Sequence, residues 1–195
     1  MPDRLTLSCW VHGYHPLNVL HHWEGLLRLF PYSTLSERIL LARVHAVSFS
    51  EPVLDEYALE PPADPDSIIG LAREHQNDDC AYELECAWDL VQLDQDWRLA
   101  PAPVRLWCFG TGFENDTGDH LRIEFGQEDL FLPSANDSRG VRAAQANLKS
   151  LMRLVKETEA GIRLEKKLLW SESGINFAEK LERMVAGGPE RSTRH

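Results

Sequence analysis

Residues 81–91 read Ala-Tyr-Glu-Leu-Glu-Cys-Ala-Trp-Asp-Leu-Val, in which large apolar side chains alternate with small or acidic ones. This period of two predicts a β-strand that is buried on one face and solvated on the other, which is typical of an antiparallel sheet. We expect the large side chains to be buried together: Tyr82, Leu84, Cys86, Trp88 and Leu90. Glu83 and Glu85 are then expected on a wet acidic face.

Weaker patterns on either side predict the remaining elements. Alternation predicts strands over 5–11, 42–49, 53–59, 104–109, 120–126 and 130–132. Residues 162–170 are ambiguous, because they alternate like a strand but have helical propensities, and we interpret them as a strand. Apolar residues at helical spacing predict helices over 16–30, 67–75, 140–159 and 176–186, with one helical turn at 33–37. The resulting fold class is α+β, with an antiparallel or mixed sheet of about five to seven strands and helices mainly on one face. The order of elements resembles an elaborated ferredoxin-like arrangement, a fold-level likeness that carries no function.

The length of 195 residues suits one domain, which we place at 1–188, followed by a disordered C-terminal tail at 189–195. The chain has no apolar run of membrane-spanning length and no secretory signal pattern, so we expect a cytoplasmic protein. In that compartment the four cysteines are expected to be reduced, and most of them to serve as small core residues.

The formal net charge of −11 is concentrated in one quarter of the chain. Residues 51–100 contain 14 acidic side chains and only two basic ones, Arg73 and Arg98. A negative field of this kind repels nucleic-acid phosphates and anionic membrane surfaces, so we expect neither as a partner. It attracts a basic protein. The partner-binding residues that we predict are the acids of the proline-rich loop and of a later turn: Asp55, Glu56, Asp78 and Asp79.

The densest group of metal-ligating side chains lies near the N-terminus, where His12 and His15 precede the first predicted helix. Their spacing matches no zinc-protease motif, and the simpler interpretation is that they are turn residues. We therefore expect the protein to purify without stoichiometric zinc, iron or manganese. Nucleotide-binding, kinase and serine-hydrolase motifs are also absent from the sequence, so no cofactor is expected.

Two further patterns have competing interpretations. Glu83 and Glu85 could divide acid and base roles, but side chains two apart on a sheet face more commonly form cross-strand ion pairs, and we expect Arg105 and Arg122 as partners. Trp10, Trp97 and Trp107 lie in a loop or at strand positions that alternate with the predicted buried ones. They are either an exposed binding surface or covered by a second layer of helices.

Three functions remain open. The first is a non-catalytic interaction module whose region 51–100 meets a basic partner, as in an inhibitor or immunity protein. The second is a homo-oligomeric small-ligand-binding or regulatory domain that uses the exposed aromatic residues. The third is a metal-dependent hydrolase built on the N-terminal histidines. The sequence favours the first, and it favours a protein that is not an enzyme.

Overall fold

The structure, a computed structural model, describes residues 3–93, 96–132, 138–171, 177 and 179. It is an α+β fold built on one seven-stranded sheet in the order β3-β2-β4-β5-β6-β1-β7. The strands are β1 (Arg4–Val11), β2 (Leu40–Ala46), β3 (Asp55–Leu59), β4 (Cys80–Leu93), β5 (Trp97–Phe109), β6 (Leu121–Gln127) and β7 (Leu164–Ser171). All six pairings between neighbouring strands are antiparallel.

The helices of the described chain are α1 (Val19–Leu29), α2 (Pro65–Glu74) and α3 (Ser138–Gly161). Local chemistry fixes where the first two begin. The side chain of Asp64 accepts hydrogen bonds from the first backbone amides of α2, and Pro65 occupies the first helical position. A 3₁₀ turn at Pro16–Asn18 leads into α1, and His15 caps that turn.

One large hydrophobic core joins all three helices to one set of alternating strand residues. Trp23 of α1 and Leu84 of β4 are both fully buried in it. The five β4 side chains predicted to be buried together are all in this core, with exposed fractions of 6% or less, which confirms the register expected for β4. The opposite phase of the strands forms the second face of the sheet and carries polar and aromatic side chains, which we call the polar face.

Three details of the sequence interpretation were wrong. Residues 33–37 form no helical turn, because Asp89 of β4 accepts hydrogen bonds from Ser33 and Thr34 and holds the segment as an irregular loop. Residues 128–131 form a 3₁₀ turn in place of the expected edge strand. Glu83 is buried, with an exposed fraction of 4%, so the second face of β4 is not uniformly wet.

The ambiguous stretch 162–170 contributes the edge strand β7, as expected. The predicted helix at 176–186 and the tail at 189–195 lie almost wholly outside the described residues. Within the residues that the structure describes, no helix has the length and apolar character needed to span a membrane.

Candidate functional site on the polar face

Two rows of side chains cross the centre of the polar face, and their register alternates acidic with basic residues. In the first row, Arg43 of β2 pairs with Glu83 of β4, and Trp107 of β5 separates Glu83 from Arg122 of β6. In the second row, Glu85, Arg105 and Glu124 are successive partners on β4, β5 and β6. We call the six charged residues of these rows the charged ladder: Arg43, Glu83, Glu85, Arg105, Arg122 and Glu124.

Glu83 is the centre of the charged ladder. Its carboxylate lies 3.0 Å from Nε2 of His45, 3.3 Å from Nη1 of Arg43 and 3.5 Å from Nε of Arg105. Burial alone would raise the pKa of Glu83, but the hydrogen bond from His45 and the nearby guanidinium groups outweigh burial and lower it. Glu83 is therefore an ionised, buried carboxylate at neutral pH.

Glu124 is shifted in the other direction. Burial raises its pKa, and the attraction of Arg122 and Arg105 only partly opposes that effect. The nearest charged groups come from every strand around it: Arg122 on its own strand, Arg105 on β5, Glu83 on β4 and Arg4 on β1. Glu83 and Glu124, the two carboxylates that pair with Arg105, thus have pKa values shifted in opposite directions.

Among the three arginines of the charged ladder, Arg105 has the weakest side-chain contacts. Its side chain is 42% exposed, and its ion pairs with Glu83 and Glu124 are long, at 3.5 and 3.8 Å. Its guanidinium makes no hydrogen bond within the described part of the chain. Arg43, in contrast, hydrogen bonds to Glu56 at 2.5 Å, and Arg122 binds Asp119 at 2.8 Å. Because a guanidinium has five donors, Arg105 retains the capacity to bind a carboxylate or phosphate through two hydrogen bonds.

Two cavities meet at Arg105. The first, of about 580 Å³, includes His45, Phe49 and Trp107 in its wall. The second, of about 450 Å³, extends towards the 3₁₀ turn that follows β6. Both volumes fall in the range of small-molecule sites. The residues that line both cavities are Arg4, Glu85, Arg105 and Glu124.

An aromatic cluster bounds the first cavity. Phe49, which is 47% exposed, packs edge-on against Trp107, Phe109 and Phe113 with ring centroids 5.1–5.9 Å apart. This loop residue, and not a helix, covers Trp107. The Trp107 Nε1–H is buried and has no acceptor among the described residues. An unpaired buried donor costs about 1–3 kcal/mol, and such a group calls for an explanation in a folded protein.

Of the other two tryptophans in question, Trp10 is partly buried and lies under Nζ of Lys166, 4.3 Å from the ring centroid. Trp97 is partly buried as well, at the start of β5.

The acids predicted to bind a partner lie at one end of the sheet. Asp55 pairs with Val44 of β2, while Cys80, next to Asp79, pairs with Ala46 on the same strand. Asp55 and Glu56 are already engaged, since Asp55 lies 3.4 Å from His75 and Glu56 binds Arg43.

Asp78 and Asp79 differ from that pair. Both are exposed in the turn before β4, and neither has an ion-pair partner within the described ranges.

His12 and His15 are both exposed, and Nδ1 of His15 accepts a hydrogen bond from the backbone N–H of Leu17. The described residues contain no group of three or more His, Cys, Asp or Glu side chains that could hold a metal ion. A different histidine packs against the protein: the His120 ring stacks on Tyr14 with centroids 4.1 Å apart, and burial lowers the pKa of His120.

All four cysteines are buried free thiols, as expected for core residues. Burial raises the pKa of Cys9 and of Cys108 to about 12, so neither is a thiolate at neutral pH.

Sequence reasoning identified Glu83, Glu85 and Arg105 as a cross-strand group, but it assigned Arg122 to the wrong carboxylates. Arg122 binds Asp119 and approaches Glu124, while Arg43 and His45 take the positions beside Glu83. The alternation within 40–46 carried the missing signal, because Arg43 and His45 share the phase opposite to the apolar residues of β2.

Comparison of the chain with family models, with curated proteins and with solved structures found no match.

Proposed function

We propose that the protein is a non-catalytic binding protein and that its polar face binds an acidic ligand through Arg105. The observation that carries the proposal is the state of this guanidinium, which is half-exposed, central and without a hydrogen bond in the described chain. Arg105 also lies where two cavities meet, so that a ligand in either one reaches it. A carboxylate or phosphate group matches this donor pattern.

The charge balance of the first cavity supports an anion. Four arginines and three glutamates line it, in a chain whose formal net charge is −11. Because the pKa of Glu124 is raised, an incoming anion meets less negative charge there as the pH falls. An anion on Arg105 does not have to displace Glu83 from its other partners, because Glu83 also contacts His45 and Arg43.

The test is an NMR titration of the ¹⁵N-labelled protein with two probes, butyrate and inorganic phosphate. We expect saturable shifts at residues of β4, β5 and β6 and at the Arg105 side-chain N–H. Arg105→Gln should abolish the saturation, and Arg105→Lys should weaken it.

Arg153→Gln is the matched control, because Arg153 is an exposed arginine of α3 that pairs only with Glu157 in the described chain. Saturation by neither probe, or equal saturation in Arg105→Gln, would reject the proposal.

A second proposal retains the interaction module that the sequence favours. It is supported by Asp78 and Asp79, which are exposed and have no ion-pair partner among the described residues. Asp55 and Glu56 contribute less, because they bind His75 and Arg43. A basic protein that binds here should associate more slowly as salt rises. Asp78→Lys with Asp79→Lys should abolish the salt dependence, and an unchanged association rate would show that these acids serve solubility alone.

Self-association is also proposed, and light scattering measures it directly. A ferredoxin-like relationship and a cytoplasmic location are proposed as well. Nothing in the described residues favours the metal-dependent hydrolase.

A further inference from the structure

His120 lies where β1, β5 and β6 come together. It directly precedes β6, and its main chain is held on both sides: its N–H donates to the carbonyl of Cys9, and its carbonyl accepts from the N–H of Phe109, each at 2.9 Å. The side chain adds a third link, because Nδ1 of His120 accepts a hydrogen bond from the backbone N–H of Val11 at 2.9 Å. An imidazole nitrogen thus takes the place of a main-chain carbonyl at the end of β1.

The same imidazole also holds the turn that follows β1, at residues 12–15. Tyr14 of this turn stacks on His120, with ring centroids 4.1 Å apart and an interplanar angle of 7°. The Tyr14 hydroxyl donates a hydrogen bond of 2.6 Å to the carbonyl of Phe109, so the turn is fixed to β5 as well. His120 therefore connects the end of β1 to the turn that leads into α1.

The hydrogen bond from Val11 requires a neutral His120. A ring nitrogen that accepts an N–H carries no proton, so the proton of the neutral ring is on Nε2. Protonation places an N–H on Nδ1, opposite the N–H of Val11, and two donors do not form a hydrogen bond. Val11 is 1% exposed, so its amide has no water to replace the lost acceptor. Protonation of His120 therefore requires the ring and the Val11 amide to separate.

Charged groups on two strands oppose the effect of burial on His120. Burial lowers the pKa of His120, whereas Asp119 beside it and Glu165 of β7 favour the imidazolium. Asp119 is already bound by Arg122 at 2.8 Å, and Glu165 is exposed. Burial outweighs both acids, so the folded protein resists protonation of this ring.

Three more histidines lie near this contact: His15, His21 and His22. Burial lowers the pKa of His22, and the charges of the other histidines, His120 included, lower it further. The remaining titratable neighbours are the Tyr14 hydroxyl and the Cys108 thiol that contacts it, and burial raises the pKa of both, so that neither is ionised at neutral pH. Acid therefore adds positive charge to several rings at this end of the sheet.

We propose that His120 is an acid-sensitive switch: its neutral form holds the end of β1 and the 12–15 turn in place, and its protonation releases both. The turn can open while the sheet stays folded, because His12, Gly13 and His15 are already exposed. The switch is independent of the proposed ligand site, since it requires neither Arg105 nor either cavity.

The experiment measures the protection of the Val11 amide against hydrogen exchange, by NMR, over a series of pH values. A histidine whose pKa is lowered by folding takes up a proton more readily once the contact has opened. The open state should therefore gain population as the pH falls below the ordinary histidine pKa of about 6.5. Uptake of one proton allows the protection factor to fall by up to about ten-fold for each pH unit, and the fall ends at the pKa of the folded state.

Two variants separate the proton from the ring. His120→Asn provides a carbonyl oxygen that accepts from Val11 but does not titrate, so the protection of Val11 should no longer fall with pH. His120→Phe keeps a ring for Tyr14 but has no acceptor, so protection should be lower by about ten-fold or more even at neutral pH. His12→Gln is the matched control, because His12 is an exposed histidine of the same turn, and it should behave like the wild type. A fall that His120→Asn retains, or wild-type protection that does not change with pH, would overturn the proposal.

If neither variant folds, the ring nitrogens of the wild-type protein decide the question. Their ¹⁵N shifts should show an unprotonated Nδ1 in His120 at neutral pH, with a scalar coupling across the hydrogen bond to the Val11 amide. The coupling should vanish along the same pH curve as the titration of the ring. A proton on Nδ1 at neutral pH, or a coupling that remains after the ring has titrated, would contradict the proposal.

Discussion

Replacing Glu83 by Gln tests whether the charged ladder stabilises the fold. The substitution keeps the shape and one acceptor for His45, but it removes the charge that faces Arg43 and Arg105. Arg43 keeps Glu56 and Glu85, and Arg105 keeps Glu124, so neither guanidinium is stranded without a carboxylate. The loss is therefore less than that of a broken isolated buried pair, and we expect about 1.5–3 kcal/mol, the range of hydrogen bonds to charged groups.

Urea unfolding measures this loss, and Glu85→Gln is the matched control. Glu85 lies two residues away on the same face, its side chain is 39% exposed, and its ion pair with Arg43 should contribute below about 1 kcal/mol. The pKa of Glu83 is lowered in the folded state, so its stabilisation is present above the unfolded-state pKa and is lost as the pH falls towards the folded-state pKa. The gap between wild type and Glu83→Gln should narrow below about pH 4. Equal losses in the two variants, or a gap that does not change with pH, would refute the reasoning.

Three other outcomes follow from the same structure. Leu84→Ala should lower the free energy of unfolding by about 2–5 kcal/mol in a urea titration, and a loss below about 1 kcal/mol would contradict its place in the core. Butyrate affinity should increase as the pH falls from neutrality towards the raised pKa of Glu124, because Glu124 then gains a proton and stops competing for Arg105. Calorimetry of Glu124→Gln should show no such increase in affinity. An increase that remains in this variant would contradict the role of Glu124. Phe49→Ala should speed hydrogen exchange of the Trp107 indole N–H by at least ten-fold in NMR, since Phe49 packs against that ring. An unchanged rate would show that another residue protects the indole N–H from solvent.

The local patterns predicted most of the strands but not their neighbours. Period-two alternation predicted the buried face of β4, because a strand with one buried face has only one register that hides its large side chains. The same pattern could not show that β2 lies beside β4 and that Arg43 therefore reaches Glu83. Strand order depends on how distant segments pack, which no window of a few residues records.

The prolines of β5 show a different limit. Residues 94–103 look like a turn-rich stretch because proline cannot donate a main-chain hydrogen bond. In the sheet they are tolerated, since Pro101 and Pro103 face a side where β6 does not pair. The end of the β5–β6 pairing at Arg105, and the second cavity beside it, could be recognised only once the partner of each strand was known.

The placement of β1 inside the sheet sets an order of events during synthesis. Residues 40–109 form β2, β3, β4 and β5, and the three pairings among these strands need no later part of the chain. β1 has its partners at 121–127 and 164–171, so the first strand of the chain stays unpaired until more than a hundred later residues have been made. Contacts this distant in sequence form slowly, and an unpaired strand invites association with other chains. The pairings of β1, first with β6 and then with β7, are thus the last that the sheet of a growing chain can make.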